Sequence, residues 1–122
     1  MALTWGSDTS GGTQLTAINQ TEQFFDTIDS SDAYQTQVEL IANSSGTPTD
    51  AIVVAVYLTL DTTSHDWDDQ AFMTFTFLPG TTNDEKLTFV LPTLFTWRMG
   101  VKSAGATDTY VADMNYRELT AV

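Results

Sequence analysis

The chain has 122 residues, which suits one domain with one hydrophobic core and is too short for two. It contains no cysteine, which excludes disulfides and thiolate metal sites, and 16 Asp and Glu against 4 Lys and Arg leave a net charge of -12. The cations Lys86, Arg98, Lys102 and Arg117 are too few and too scattered to form a basic stripe, so nucleic acid is all but excluded as a partner and an anionic membrane is disfavoured.

The chain opens with MALTWGSDTSGG, which lacks the basic stretch and apolar core of an export signal, so a soluble protein is expected. Residues 1–13 are rich in Gly, Ser, Thr and Asp around Trp5, and they predict a flexible arm that docks on a partner. Leu15 and Ile18 give only a weak strand signal. In Gln20–Ile28, the apolar Phe24, Phe25 and Ile28 suit one helical turn or an irregular strand. From Tyr34 a period of two is clear: Tyr34, Thr36, Val38 and Leu40 alternate with Gln35, Gln37 and Glu39. Ile52, Val54, Val56, Leu58 and Leu60 share one face of the next run. Its other face carries Val53, Ala55 and Tyr57, so this strand should be central and covered on both sides. The run is far too short for a membrane helix. It could form one outer-membrane strand, but the other strands lack aromatic girdle positions. Further strands are expected over Phe72–Leu78, Lys86–Leu91, Leu94–Val101 and Thr109–Leu119, with Trp97 in the core.

The punctuation is turn chemistry. Ser44–Pro48 and Pro79–Asp84 each separate two strand runs, and Ser103–Ala106 is expected to close a hairpin between the last two strands. Helix periodicity is absent. The expected fold is a single all-β domain over residues 1–122, an antiparallel β-sandwich or jelly roll of about seven or eight strands with little or no helix.

The densest polar cluster runs from Asp61 to Asp69 and contains the only histidine, His65. Asp61, Asp66, Asp68 and Asp69 are the candidate ligands for a hard cation such as calcium. Their spacing does not fit an EF-hand loop and no glycine supplies its turn, so a solvated acidic loop is the simpler account and no cofactor is expected. Ser64 and His65 are adjacent, which on a strand points them to opposite faces and denies them a nucleophile–base hydrogen bond. The sequence holds no G-x-S-x-G elbow, phosphate loop or dinucleotide fingerprint, so no catalytic residue is assigned and an enzyme is not expected. Leu3 and Trp5 in the arm and Trp67 in the acidic loop are the candidate partner-binding residues, because tryptophan concentrates at interfaces, with packing of Trp5 on its own domain and of Trp67 back onto the sandwich edge as equal alternatives. Exposed tryptophans also suit a carbohydrate-binding sandwich, the main alternative to a protein partner.

Several segments together carry a resemblance. Gly11-Gly12-Thr13-Gln14-Leu15-Thr16-Ala17 leads to Thr21-Glu22-Gln23-Phe24-Phe25, then to the turn Asp29-Ser30-Ser31-Asp32-Ala33 and the strand Tyr34–Leu40. With Trp97–Lys102 and Gly105–Thr109, this order resembles small β-sandwich virion structural proteins of tailed bacteriophages, of the capsid decoration or cement type. The resemblance implies a non-enzymatic protein on the capsid surface that binds the major capsid protein and stabilises the shell. It also implies a homo-oligomer, with a trimer favoured. A tail or baseplate component is the alternative within the same particle. No functional residue carries over from the resemblance.

Overall fold

The computed structural model describes residues 2–44, 48–60, 67, 71–79, 85–92 and 95–121. Eleven strand segments are present among them: β1 (Leu3–Trp5), β2 (Thr9–Ser10), β3 (Leu15–Ile18), β4 (Gln23–Phe24), β5 (Ile28–Ser30), β6 (Gln35–Ser44), β7 (Ile52–Thr59), β8 (Met73–Phe77), β9 (Glu85–Leu91), β10 (Phe95–Ser103) and β11 (Tyr110–Ala121). No described residue is helical, so no helix among them is long and apolar enough to cross a membrane.

The segments form two antiparallel sheets. In the first, β11 lies between β6 and the successive segments β1, β2 and β3, and β9 closes the far edge. In the second, β10 lies between β7 and the successive segments β4 and β5, and β8 closes the far edge. Residues 3–18 therefore run as one interrupted edge strand beside β11, and residues 23–30 as another beside β10. Counted as continuous paths, the eleven segments make eight strands, four per sheet, which is a jelly roll. The expected fold class holds. The short pieces were hidden from periodicity because two or three residues cannot display a period.

The gaps in the edge path are themselves hydrogen-bonded. Gly6 N donates to Glu118 O at 2.8 Å and Gly11 N to Met114 O at 2.6 Å, both across to β11. Asp26 N donates to Gly11 O at 2.9 Å, tying the two edge paths together between β2 and β3 on one side and β4 and β5 on the other. Gly11 permits this approach. A Cβ there would collide with the buried Met114 side chain and stand 3.0 Å from its carbonyl oxygen. Gly12 follows with φ of +118°, a conformation that an L side chain resists.

The core fills the space between the sheets. Val38, Leu40 and Ala42 of β6 and Tyr110, Ala112 and Met114 of β11 face Ile52, Val54 and Val56 of β7 and Trp97, Met99 and Val101 of β10. These are the alternate positions of each strand, as a pleated sheet requires. Trp97 lies in this core, and its indole Nε1–H donates to Ser30 Oγ at 2.9 Å. Its ring meets Tyr116 edge-on at 5.8 Å. At the side where β8 and β9 end their sheets, Phe75 and Phe89 close the sandwich at 5.0 Å. As expected, β7 is central, paired with β10 and β8, but its outer face is not fully covered: Val53 and Tyr57 there are only partly buried.

Candidate functional site

The outer face of the second sheet carries an aromatic cluster built on strand register. Arg98 on β10 stands directly opposite Tyr57 on β7, so both side chains leave the sheet on the same side. Phe24 on β4 pairs with Gly100, one step along that face. The Arg98 guanidinium carbon lies 3.9 Å from the centroid of the Phe24 ring, 4.8 Å from that of Trp67 and 5.7 Å from that of Tyr57. A planar cation over electron-rich ring faces is an attractive arrangement, worth about 0.5–2 kcal/mol per contact as it loses water. Gly100 makes room for a further partner: the Glu22 carboxylate, which accepts from Tyr57 Oη at 3.0 and 3.1 Å. A Cβ on Gly100 would stand 2.6 Å from Glu22 Oε2. Burial, with the Glu22 bond second, raises the Tyr57 phenol above its ordinary range.

The outer face of the first sheet is different. Arg117, Gln37 and Val90 are direct neighbours across β11, β6 and β9, and so are Asn115, Glu39 and Thr88 one row on. With Asp8 they line an open groove of about 490 Å3. Arg117 Nε donates to Gln37 Oε1 at 2.6 Å, and its guanidinium carbon lies 4.8 Å from the Trp5 ring centroid. Lys86 Nζ sits 3.8 Å from Glu39 Oε2 at the edge of the same face.

A third cluster joins two loops at one end. Asp108 Oδ2 accepts from the backbone N–H groups of Thr49 at 2.6 Å and Asp50 at 2.8 Å. Asp50 Oδ2 in turn accepts from the backbone N–H groups of Thr107 at 2.8 Å and Asp108 at 3.1 Å. The buried Tyr110 hydroxyl donates to Asp50 O. Backbone donors hold the Asp108 carboxyl below its ordinary value, while burial, with the two carboxylates adding to it, pushes the Tyr110 phenol up to about 12. This reciprocal pair of side-chain caps fixes the loops and presents no reactive group.

The residues singled out from sequence do not converge. Trp5 on β1 pairs with Leu119, and Leu3 with Ala121, so both lie on the outer face of the first sheet. Leu3 is 45% exposed and Trp5 is half-buried. Trp67 lies against Arg98 on the opposite sheet. The arm of residues 1–13, expected to reach for a partner, is here paired from Leu3 onward with its own β11. The candidate cation ligands Asp61, Asp66, Asp68 and Asp69, and the pair Ser64 and His65, lie outside the described residues. Among the described residues no group of three or more His, Asp or Glu side chains is placed to hold a metal. Sequence reading did not single out Arg98, Phe24, Tyr57 and Glu22 as a group. Arg98 and Gly100, polar and small positions within an apolar strand, were the available signal.

The fold and these faces define a class, the jelly-roll β-sandwich domain. No protein-family model and no curated protein matches the chain. Among solved structures, a chain of the Bacillus endospore appendages, described as a novel family of disulfide-linked pili, is similar at TM-score 0.58 and 12% identity. The match covers 98% of this chain and 89% of that one. A chain of the T13 viral particle of IBDV is similar at TM-score 0.58 and 14% identity, over 97% of this chain and 31% of that one. A chain of the infectious bursal disease virus Gx strain is similar at 0.56 and 15% identity, over 97% and 32%. The present chain thus spans about a third of the length of those viral chains. At such identities the likeness is one of fold.

Proposed function

We propose that this chain is a non-enzymatic structural subunit of a virion, and more narrowly a capsid decoration protein that binds the major capsid protein and stabilises the shell. In this reading it lies on the capsid surface as a homo-oligomer, in the simplest case a trimer. The observation that carries the proposal is the sharing of one sandwich, over nearly the whole chain, with an appendage subunit and with chains of icosahedral viral particles. The polar order of segments that resembles tailed-phage cement proteins points the same way. The net charge of -12 suits a cationic patch on the partner, which would speed and orient docking. Leu3 and Trp5 beside the groove, and Trp67 on the other sheet, are the side chains proposed to meet partners. Because the sequence contains no cysteine, its own contacts would not be disulfide-linked, unlike those of the disulfide-linked pili.

The test is to add purified protein to particles lacking it and to sediment the mixture. Saturable binding, with particles that then resist heat better, is the expected result. Binding confined to isolated tails would move the protein to a tail or baseplate role, and a protein that never sediments with particles would refute the proposal. Leu3→Asp should weaken the binding without lowering the melting temperature.

A further inference from the structure

The groove on the first sheet holds chemistry that shell stabilisation does not use. Its position is fixed by register. Arg117, Gln37 and Val90 form one row across β11, β6 and β9, and Asn115, Glu39 and Thr88 form the next. The alternate residues Val38 and Tyr116 turn toward the core, so the groove is floored by sheet and its chemistry comes from the outward side chains. At about 490 Å3 it lies within the range of small-ligand sites, roughly 300–1,000 Å3.

The charges decide the ligand class. Asp8 and Glu39, the latter in the middle of its row on β6, oppose an anion, within a protein that is already strongly acidic. Arg117 opposes a cation, and Lys86 near Glu39 partly offsets that carboxylate. Donors and acceptors are mixed. Arg117 offers only donors, Asp8 and Glu39 offer acceptors, and Gln37, Asn115 and Thr88 offer both. A ligand with hydroxyl groups, each a donor and an acceptor, matches this set, whereas a charged ligand uses half of it. Val90 is the one exposed apolar side chain of the lining, so the groove mixes apolar surface with its polar groups, which suits the C–H and hydroxyl surface of a hydroxyl-bearing ligand.

Two features make the site organised. The bond from Arg117 Nε to Gln37 Oε1 at 2.6 Å fixes the guanidinium before a ligand arrives, which lowers the ordering cost of binding. Trp5 does not line the groove itself, but it stands on the same face one row beyond Arg117, whose guanidinium carbon lies 4.8 Å from its ring centroid. An indole there can cover the C–H face of a sugar ring while the sheet side chains bond its hydroxyls.

We infer that the outer face of the β11–β6–β9 sheet binds a neutral oligosaccharide, held by Gln37, Asn115, Arg117, Glu39 and Thr88 and flanked by Trp5. The inference shares only Trp5 with the particle reading and is tested apart from it, since free protein should bind in the absence of any capsid.

The experiment titrates 15N-labelled full chain with four neutral hexasaccharides (cellohexaose, xylohexaose, maltohexaose and mannohexaose), and separately with hexalysine and a heparin hexasaccharide. At least one neutral sugar should give saturable amide shifts centred on residues 37–39, 88–90 and 115–117. Asn115→Ala and Gln37→Ala should each weaken that binding about tenfold or more, with melting temperatures unchanged. Thr74→Ala, on the opposite sheet, should bind as the parent does. The inference is overturned if none of the four sugars binds at millimolar concentration, or if the shifts map elsewhere. It is likewise overturned if only hexalysine or only heparin fills the groove, which would make it a cationic-peptide or an anion site.

Discussion

The buried bond between Trp97 and Ser30 offers a sharp test of how the second sheet is locked to its edge path. Ser30 lies on β5 and Trp97 on β10, both are almost wholly buried, and the bond length is 2.9 Å. Ser30→Ala leaves the indole N–H buried without an acceptor, which should cost about 1–3 kcal/mol. Trp97→Phe removes the donor and also part of a large core side chain, so a loss of about 2–4 kcal/mol is expected. The double variant loses both partners at once. Its cost should fall short of the sum of the singles by on the order of 1 kcal/mol. Urea unfolding followed by far-UV circular dichroism is the suitable assay, because tryptophan fluorescence would change with the substitution itself. For a chain of this length each kcal/mol corresponds to roughly 4 °C in melting temperature, so the shifts lie well above error. If the singles add to the double within about 0.3 kcal/mol, the two side chains are not coupled and the reasoning fails.

Four further outcomes follow from the geometry. Gly11→Ala should destabilise by about 1–3 kcal/mol in the same assay, because the new methyl group must displace the buried Met114 side chain; a neutral result would show that the edge path can move aside. Arg98→Met combined with Trp67→Ala should reveal a coupling of about 0.5–2 kcal/mol in a double-mutant cycle, the value of the guanidinium over the indole ring. Tyr57, Tyr110 and Tyr116 all have phenols raised in the folded state, chiefly by burial. The stability from this source is complete below pH 10 and lost as pH rises, for Tyr110 between 10 and about 12, so an alkaline unfolding series should slope downward there and Tyr110→Phe should flatten it. Asp108 has the opposite sign: its lowered carboxyl stabilises the fold above the ordinary value of 3.8 and ceases to as pH falls through the lower folded value, so Asp108→Asn should show a shallower acid limb.

The strands β6 to β11 were legible in the sequence because each is long enough to show alternation, and because Thr, Val, Phe and Tyr favour a pleated backbone. Trp97 was legible as core for the same reason: Phe95, Trp97, Met99 and Val101 fall on one side of a strand. The break at Ser103–Ala106 was marked by residues that accept tight backbone geometry, but it joins β10 and β11, which lie in different sheets, so it is a crossover and not the expected hairpin. Of the five N-terminal segments, β3 gave only a weak signal, β4 and β5 fell in a stretch that suited a helical turn as well as an irregular strand, and β1 and β2 were not legible as strands. They hold their shape through pairing with β11 and β10, whose paired residues lie 65 or more positions further along the chain, more than through any pattern of their own.

The candidate surfaces divide along the same line. Trp5 and Trp67 could be named from residue type alone, since a tryptophan outside an apolar run invites a surface role. That they stand on opposite faces follows only from the fold: register sets Trp5 beside Leu119, while Trp67 lies against Arg98 on the other sheet. The groove was invisible for the same reason. Gln37, Thr88 and Asn115 are unremarkable in sequence and become neighbours only when β6 pairs with β9 on one side and β11 on the other. Alternation along a strand is a local property and is written in the sequence. The identity of the neighbour across the strand is a long-range property, and only the folded sheet decides it.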